Sequence, residues 1–262
     1  EGEGFQDWEG QHVSIETIHR RIRIYTFASA SNPEARASRV RLARREFEVL
    51  EGIDHQGILK VKEYKDTELG PALIFDHDPK AIRLDHLLRD QGARLTITQR
   101  LQLVREIAET LKHAHSKRLY HRALGPQSIM VHGVESGSFT PRLMNWQTAS
   151  RDAASPDTVH RTTGTRHVED YVEDPGLVYL APETMRADPT HGPALDVFSL
   201  GAIAYHIFSG QPPATSALEL AEKLRVGQGL RLSDVLDGCG TCQQELIQFA
   251  TNPDVFMRYD SV

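Results

Sequence analysis

The chain has 262 residues, 39% of them hydrophobic and 25% charged, which excludes a chain disordered throughout and supplies enough apolar surface for a core. No apolar run approaches the ~20 residues that span a bilayer, and a formal net charge of −6 argues against a general polyanion binder while leaving a local basic patch open. Two cysteines make no disulfide framework and suit a reducing compartment, so a cytoplasmic location is expected; the start at Glu1 reads as that of a fragment of a longer protein.

The opening Gly2-Glu3-Gly4-Phe5-Gln6-Asp7 carries two close glycines. Residues 19–27 partly alternate, with Ile22, Ile24 and Phe27 as apolar members, and are predicted to form a half-buried strand. Arg36, Arg39, Arg41, Arg44 and Arg45 lie on a predicted helix, continued by Leu42, Phe47, Val49, Leu50 and Ile53 and ending near Gly52. Residues 72–75, after Gly70-Pro71, predict a short buried strand. Leu101, Val104, Ile107, Ala108, Leu111 and Ala114 mark one helix face, with Thr98 as a candidate cap. Residues 148–175 are polar and read as a long loop, a feature that is usually functional inside a compact domain. Val197, Leu200, Gly201, Ala204 and Phe208 predict a helix stopped by Gly210, and Leu246, Ile247 and Phe249 a later one. A strand-rich first third before a helix-rich remainder implies an α+β fold in two lobes.

Several landmarks fall in a fixed order. Glu46 and Leu50 precede His55-Gln56-Gly57-Ile58 and Leu73-Ile74-Phe75-Asp76. Next come His121-Arg122-Ala123-Leu124-Gly125-Pro126-Gln127-Ser128, Asn145-Trp146-Gln147 and Ala181-Pro182-Glu183. Asp196-Val197-Phe198-Ser199-Leu200-Gly201 and Arg258 close the series. This order resembles the eukaryotic-like (Hanks-type) Ser/Thr protein kinases of bacteria over nearly the whole chain. The resemblance implies a bilobal α+β fold: a small β-rich N-lobe with one main helix at 1–76, a hinge at 77–80 and a larger helical C-lobe at 81–262. It also implies structural roles. Glu183 pairs with Arg258, Asp196 orients the catalytic loop through its backbone, and Leu50, His121 and Trp146 join the column that links the lobes.

The reacting positions depart from the family pattern. Phosphoryl transfer needs a Lys on the nucleotide phosphates, a Glu holding it, Asp and Asn on the metal ions, and an Asp that accepts the hydroxyl proton. Against H-R-D-x-K-x-x-N the chain has Ala123 for the Asp, Gly125 for the Lys and Ser128 for the Asn; Asn145 opens the counterpart of D-F-G. Ala123 accepts no proton, a loss of roughly 10²–10⁴ in rate, and Asn145 lacks the charge of a Mg²⁺ ligand. Arg23 falls at the phosphate-Lys position, where it would pair bidentately with Glu46. Asp7 stands where the third glycine of the ATP-covering loop belongs, and Arg21 where a small residue packs on adenine. Arg23, Glu46 and Asp76 are thus the remnant of a nucleotide pocket. On this reading the chain is a pseudokinase and no enzyme, without catalytic residues or a metal site. No cofactor is expected, ATP and Mg²⁺ included.

Other features have plainer readings. Cys239-Gly240-Thr241-Cys242 lacks a second pair and a nearby His for zinc. The 36–45 arginines read as a solvated helix face. Thr162, Thr163 and Thr165 occupy the loop that is phosphorylated in active relatives, near Arg122 in that fold, yet read as unmodified. The thirteen histidines are scattered: His113 and His115 are expected to face different sides of a helix, and His160 and His167 lie in the loop.

The expected function is that of an inactive regulatory or protein-interaction module in a larger bacterial multidomain protein. Its partner would be a protein or a neighbouring domain of the parent chain, with neither membrane nor nucleic acid. The arginine helix with residues 70–75 also resembles bacterial multidomain proteins of the phage-defence type. The alternatives are an atypical ATP-binding Ser/Thr kinase or other nucleotide transferase of weak activity, and a nucleic-acid contact module through the 36–45 helix.

Overall fold

The computed structural model describes residues 4–28, 30, 32–151, 172–185 and 192–262. Strands β1 (Gln6–His12) and β2 (Ile15–Ile24) form a hairpin, joined by β3 (Val61–Thr67) and β4 (Gly70–Asp76) in an antiparallel sheet of order β1-β2-β4-β3. Helix α1 (Pro33–Val49) lies against this sheet. Asn32 caps it, accepting from the Ala35 N–H at 2.8 Å, and Pro33 supplies a preset φ at its first turn. Its buried residues are Leu42, Ala43, Glu46 and Val49, so the apolar stripe that docks the helix also carries Glu46 into the interior.

The second lobe opens with β5 (Ile82–Arg83), α2 (Leu84–Gln91) and α3 (Ile97–Ser116). Short strands follow: β6 (Leu119–Tyr120), β7 (Ile129–His132), β8 (Thr140–Leu143) and β9 (Ser150–Arg151). They pair as β5-β7-β8 and β6-β9 and present the loops of the cleft. Helices α4 (Gly192–Ser209), α5 (Ala217–Gly227) and α6 (Thr241–Ala250) complete the lobe. Helix α4 is buried on nearly every side. At Gly201 a Cβ would lie 2.7 Å from the Ala250 Cβ, so the α4–α6 approach requires glycine there. One apolar core runs from Tyr25, Leu42 and Leu73 through Leu111 and Trp146 to Phe198 and Ile247. The Leu59 N–H donates to the Leu143 carbonyl at 2.9 Å and the Leu143 N–H to the Gly57 carbonyl at 2.7 Å, tying the lobes by backbone.

The bilobal kinase-like fold is as expected; several local details differ. On β2 the most deeply buried side chain is Arg23, with Tyr25 just beyond, whereas Ile22 and Ile24 are half-buried. The burial parity is inverted because carboxylates satisfy the charges on that face. Thr96, not Thr98, caps α3, in a reciprocal capping box with Gln99. Leu101 is exposed, and Leu103 takes the place in the core assigned to it. Helix α1 ends at Val49, before Ile53. Residues 152–171 of the expected long loop, with Thr162, Thr163, Thr165, His160 and His167, lie outside the described residues. Among the described residues no helix is long and apolar enough to cross a membrane.

Candidate active site

Arg23 is the centre of the cleft. Its side chain is 2% exposed. Nη1 donates to Glu46 Oε1 at 3.1 Å and Oε2 at 3.4 Å and lies 3.3 Å from Gln147 Oε1. Nη2 donates to Asn145 Oδ1 at 2.6 Å. The expected pair with Glu46 is present, but the two-pronged contact goes elsewhere: Nε and Nη2 grip the two oxygens of Asp7 at 3.0 and 3.1 Å. Arg21 Nη2 reaches Asp7 Oδ2 at 2.5 Å, and its Nη1 lies 3.0 Å from the Met144 sulfur. Burial alone would raise the Asp7 carboxyl; the charges and hydrogen bonds of Arg23 and Arg21 outweigh it and hold it far below the usual carboxylate range. Burial would likewise lower the Arg23 pKa, and Glu46 with Asp7 drives it up instead. The Phe5 ring covers the guanidinium at 4.2 Å. Glu46, fully buried, also accepts from the Tyr25 hydroxyl at 2.5 Å and the Trp146 N–H at 3.2 Å.

The loop below is held by Asp196, as the resemblance implies. Asp196 accepts from the backbone N–H of His121 at 2.8 Å and of Arg122 at 2.7 Å, while His115 Nε2 lies 2.8 Å away. His121 packs against Trp146 with the rings tilted by 53° and their centres 4.6 Å apart, and burial pushes its pKa down. Leu50 is buried in the same core. Ala123 packs in a small apolar cluster with Leu180, Val172 and Leu177. At Gly125, a Cβ would meet Gln127 Oε1 at 2.6 Å, and at Gly176 it would meet Gln127 Nε2 at 1.7 Å. Glycine in place of the family's Lys therefore makes room for Gln127, which runs between the loop and residues 172–185. Ser128 accepts from Asn145 Nδ2 at 3.2 Å. Further off, Arg258 donates through Nη1 and Nη2 to the Glu183 carboxylate, the second at 2.9 Å. Asp76 stands apart from the Arg23 cluster: it pairs with Arg20 at 3.1 Å and Lys62 at 2.8 Å, half-exposed at the end of β4.

Mg²⁺ calls for a shell of oxygens with carboxylate charge. Here the Asn145 oxygen is taken by a guanidinium, and Asp7 and Glu46 are held by arginines. Among the described residues no group of three or more His, Cys, Asp and Glu could hold a metal ion. The residues of this cleft do not fit Mg²⁺ as the family holds it.

The sequence did not disclose the Asp7 grip, the Tyr25–Glu46 bond or the His115–Asp196 contact. The alternation of 21, 23 and 25 on one strand was the available signal for Tyr25. Cys239 is half-buried and Cys242 exposed, both free thiols. His113 stacks on His55 at 4.5 Å, on a different side of α3 from His115.

The chain matches the protein kinase domain over residues 14–247 and belongs to that family, in the Hanks-type group that includes bacterial Ser/Thr kinases. It is similar to the "Probable kinase PglW" of Streptomyces coelicolor, 35% identical over 95% of this chain and 17% of that protein. It is also similar to the Ser/Thr-protein kinase PkaA of the same organism, 28% identical over 80% of this chain and 36% of the relative. The Ser/Thr-protein kinase PknB of Mycobacterium tuberculosis is 23% identical over 66% of this chain and 26% of the relative. The chain thus spans well under half the length of these relatives. Their names overturn the expectation of a protein that is no enzyme: a chain this close to a probable kinase groups with enzymes. The physical reason is that phosphoryl transfer depends mainly on positioning and charge, so the loss of Asp at position 123 does not decide the matter.

Proposed function

We propose that the chain is the phosphotransferase domain of a longer bacterial-type Ser/Thr kinase, an atypical one in which arginines handle the nucleotide phosphates. The observation that carries this reading is the buried Arg23–Glu46 pair at 3.1 Å, assembled at the position where the family keeps its Lys–Glu pair. The planar guanidinium fork suits phosphate oxygens, and Arg21 brings a second positive charge. In the transfer, the bond from the γ-phosphorus to its bridging oxygen breaks and a bond to the acceptor hydroxyl oxygen forms. The hydroxyl proton passes to water or to the transferred group, because Ala123 cannot take it. The missing base slows the step by roughly 10²–10⁴. A cytoplasmic place suits such a reaction. The test is transfer of label from γ-labelled ATP by the full-length protein. Incorporation that disappears in Arg23→Ala is expected; wild-type incorporation no greater than that of the variant overturns the reading.

A second role, as a regulatory or protein-interaction module toward the rest of the parent chain, is supported by the small share, 17%, of the similar probable kinase that this chain covers. Calorimetric titration of this domain against the remainder of the parent protein tests it, and no association at micromolar concentrations sinks it. The arginine helix offers less to a nucleic acid: Arg45 donates to the Ala149 carbonyl at 2.6 Å, and Arg36 lies 5.5 Å from the centre of the Phe27 ring.

A further inference from the structure

Across the first hairpin the register sets Asp7 opposite Arg23 and Glu9 opposite Arg21, and strand alternation puts all four on one face. Glu9 turns away to His77 at 3.3 Å and stays exposed. Asp7 turns in. With Asp7, Glu46, Asn145 and Gln147 as acceptors, the five N–H groups of Arg23 are all engaged. What Asp7 offers, two anionic oxygens in one plane against a guanidinium fork, is also what a phosphate offers.

We infer that the Arg21–Arg23 pair is a metal-independent site for the polyphosphate of a nucleoside triphosphate, and that Asp7 is a built-in anion which that ligand displaces. This deepens, and rests on, the nucleotide-handling reading above. The charges agree. Arg21 and Arg23 balance Asp7 and Glu46, so departure of Asp7 leaves one net positive charge and frees donors on both arginines. Asn145 and Gln147, both neutral, add no negative charge against a polyphosphate that arrives without a metal. The hinge is also in place: β1 is the edge strand of its sheet, so the hairpin can lift Asp7 out while β2 keeps its pairing with β4.

Calorimetry with ATP in EDTA, on the wild-type chain, Asp7→Asn and Arg23→Ala, tests this. Asp7→Asn is expected to bind about tenfold more tightly than wild type, with binding lost in Arg23→Ala and Mg²⁺ giving no further gain. Wild-type binding left unchanged by Asp7→Asn overturns the role of Asp7 while the nucleotide reading stands. Marked tightening by Mg²⁺ overturns metal independence. No binding by wild type or Asp7→Asn overturns the nucleotide reading itself. Hydrogen exchange on the wild-type chain gives a readout that needs no variant. ATP in EDTA should speed exchange of the amides of residues 6–12, and protection there overturns displacement of Asp7.

Discussion

Asp196 holds the consecutive residues His121 and Arg122 by their backbone N–H groups, one carboxylate oxygen to each, at 2.8 and 2.7 Å. Arg122 pays for the sharp turn of the loop with a left-handed φ of 69°, a conformation costing ~1–2 kcal/mol for a residue with a side chain. The aspartate, fully buried, offsets that strain. Asp196→Ala leaves both N–H groups buried without an acceptor, and the expected loss of stability in urea is about 3–5 kcal/mol. Asp196→Asn keeps one acceptor oxygen and should lose less. Equal losses for the two variants would show that the backbone bonds are not what Asp196 contributes.

Arg258 makes a parallel case on the far side of α4. Its side chain is fully buried; besides Glu183 it donates to the Asn252 carbonyl at 2.7 Å and lies 5.0 Å from the centre of the Phe198 ring. A lysine cannot reproduce that fork and stack. Arg258→Ala strands the Glu183 carboxylate and should cost about 3–5 kcal/mol; Arg258→Lys keeps the charge but loses the fork and the stack, so it should recover only part of that loss. Replacing both partners, as Arg258→Met with Glu183→Leu, should recover part of the loss. Chemical denaturation of wild type, Arg258→Met, Glu183→Leu and the double variant completes the cycle.

Tyr25 separates the frame of the cleft from its charge. Burial, with the Glu46 charge next, pushes its phenol well above the ordinary value, so it remains a donor throughout the accessible pH range. Tyr25→Phe removes the 2.5 Å bond to Glu46 and nothing else of similar weight. The expected cost is about 1.5–3 kcal/mol, the range for a hydrogen bond to a charged group. Glu46→Ala should cost more, because it also strands Arg23 and the Trp146 N–H. A Tyr25→Phe protein as stable as wild type would mean that Arg23 alone fixes Glu46.

The motif-bearing segments, the two lobes and the Arg23–Glu46, Glu183–Arg258 and Asp196 contacts were legible because each rests on a residue type at a family-like separation. The Asp7 grip was not, since it depends on hairpin register. The two-residue connection Val13-Ser14 carries none of the Asn-Gly signature that fixes register from sequence. The pairing also slips between Gln11 and His12, a bulge that the sequence does not announce. The inverted face of β2 has a related cause. A buried arginine is favourable only with partners, and those partners come from β1, α1 and the Asn145 loop, far apart in sequence. The enzyme question is not legible from residues 123 and 145 alone, because transfer depends on position and charge, which several residues far apart in sequence supply together.

His206 gives a pH test independent of the cleft. Its Nδ1 lies 2.6 Å from the Tyr179 hydroxyl, a bond in which the tyrosine donates to a neutral imidazole. Burial lowers its pKa from 6.5 to about 4, against a weaker upward pull from Asp85. The sign follows from linkage. Between pH 6.5 and about 4 the unfolded chain binds a proton that the folded chain refuses, so stability rises with pH across that window. The contribution is fully present above 6.5 and lost as pH falls through about 4. His121, buried beside Trp146, is shifted the same way and keeps its own share in any His206 variant. The melting temperature of the wild-type chain should therefore fall more steeply between pH 6.5 and 4 than that of His206→Gln, with parallel curves above 6.5. Identical slopes through that window would assign the acid sensitivity to other groups and leave the Tyr179–His206 contact without a pH-linked role.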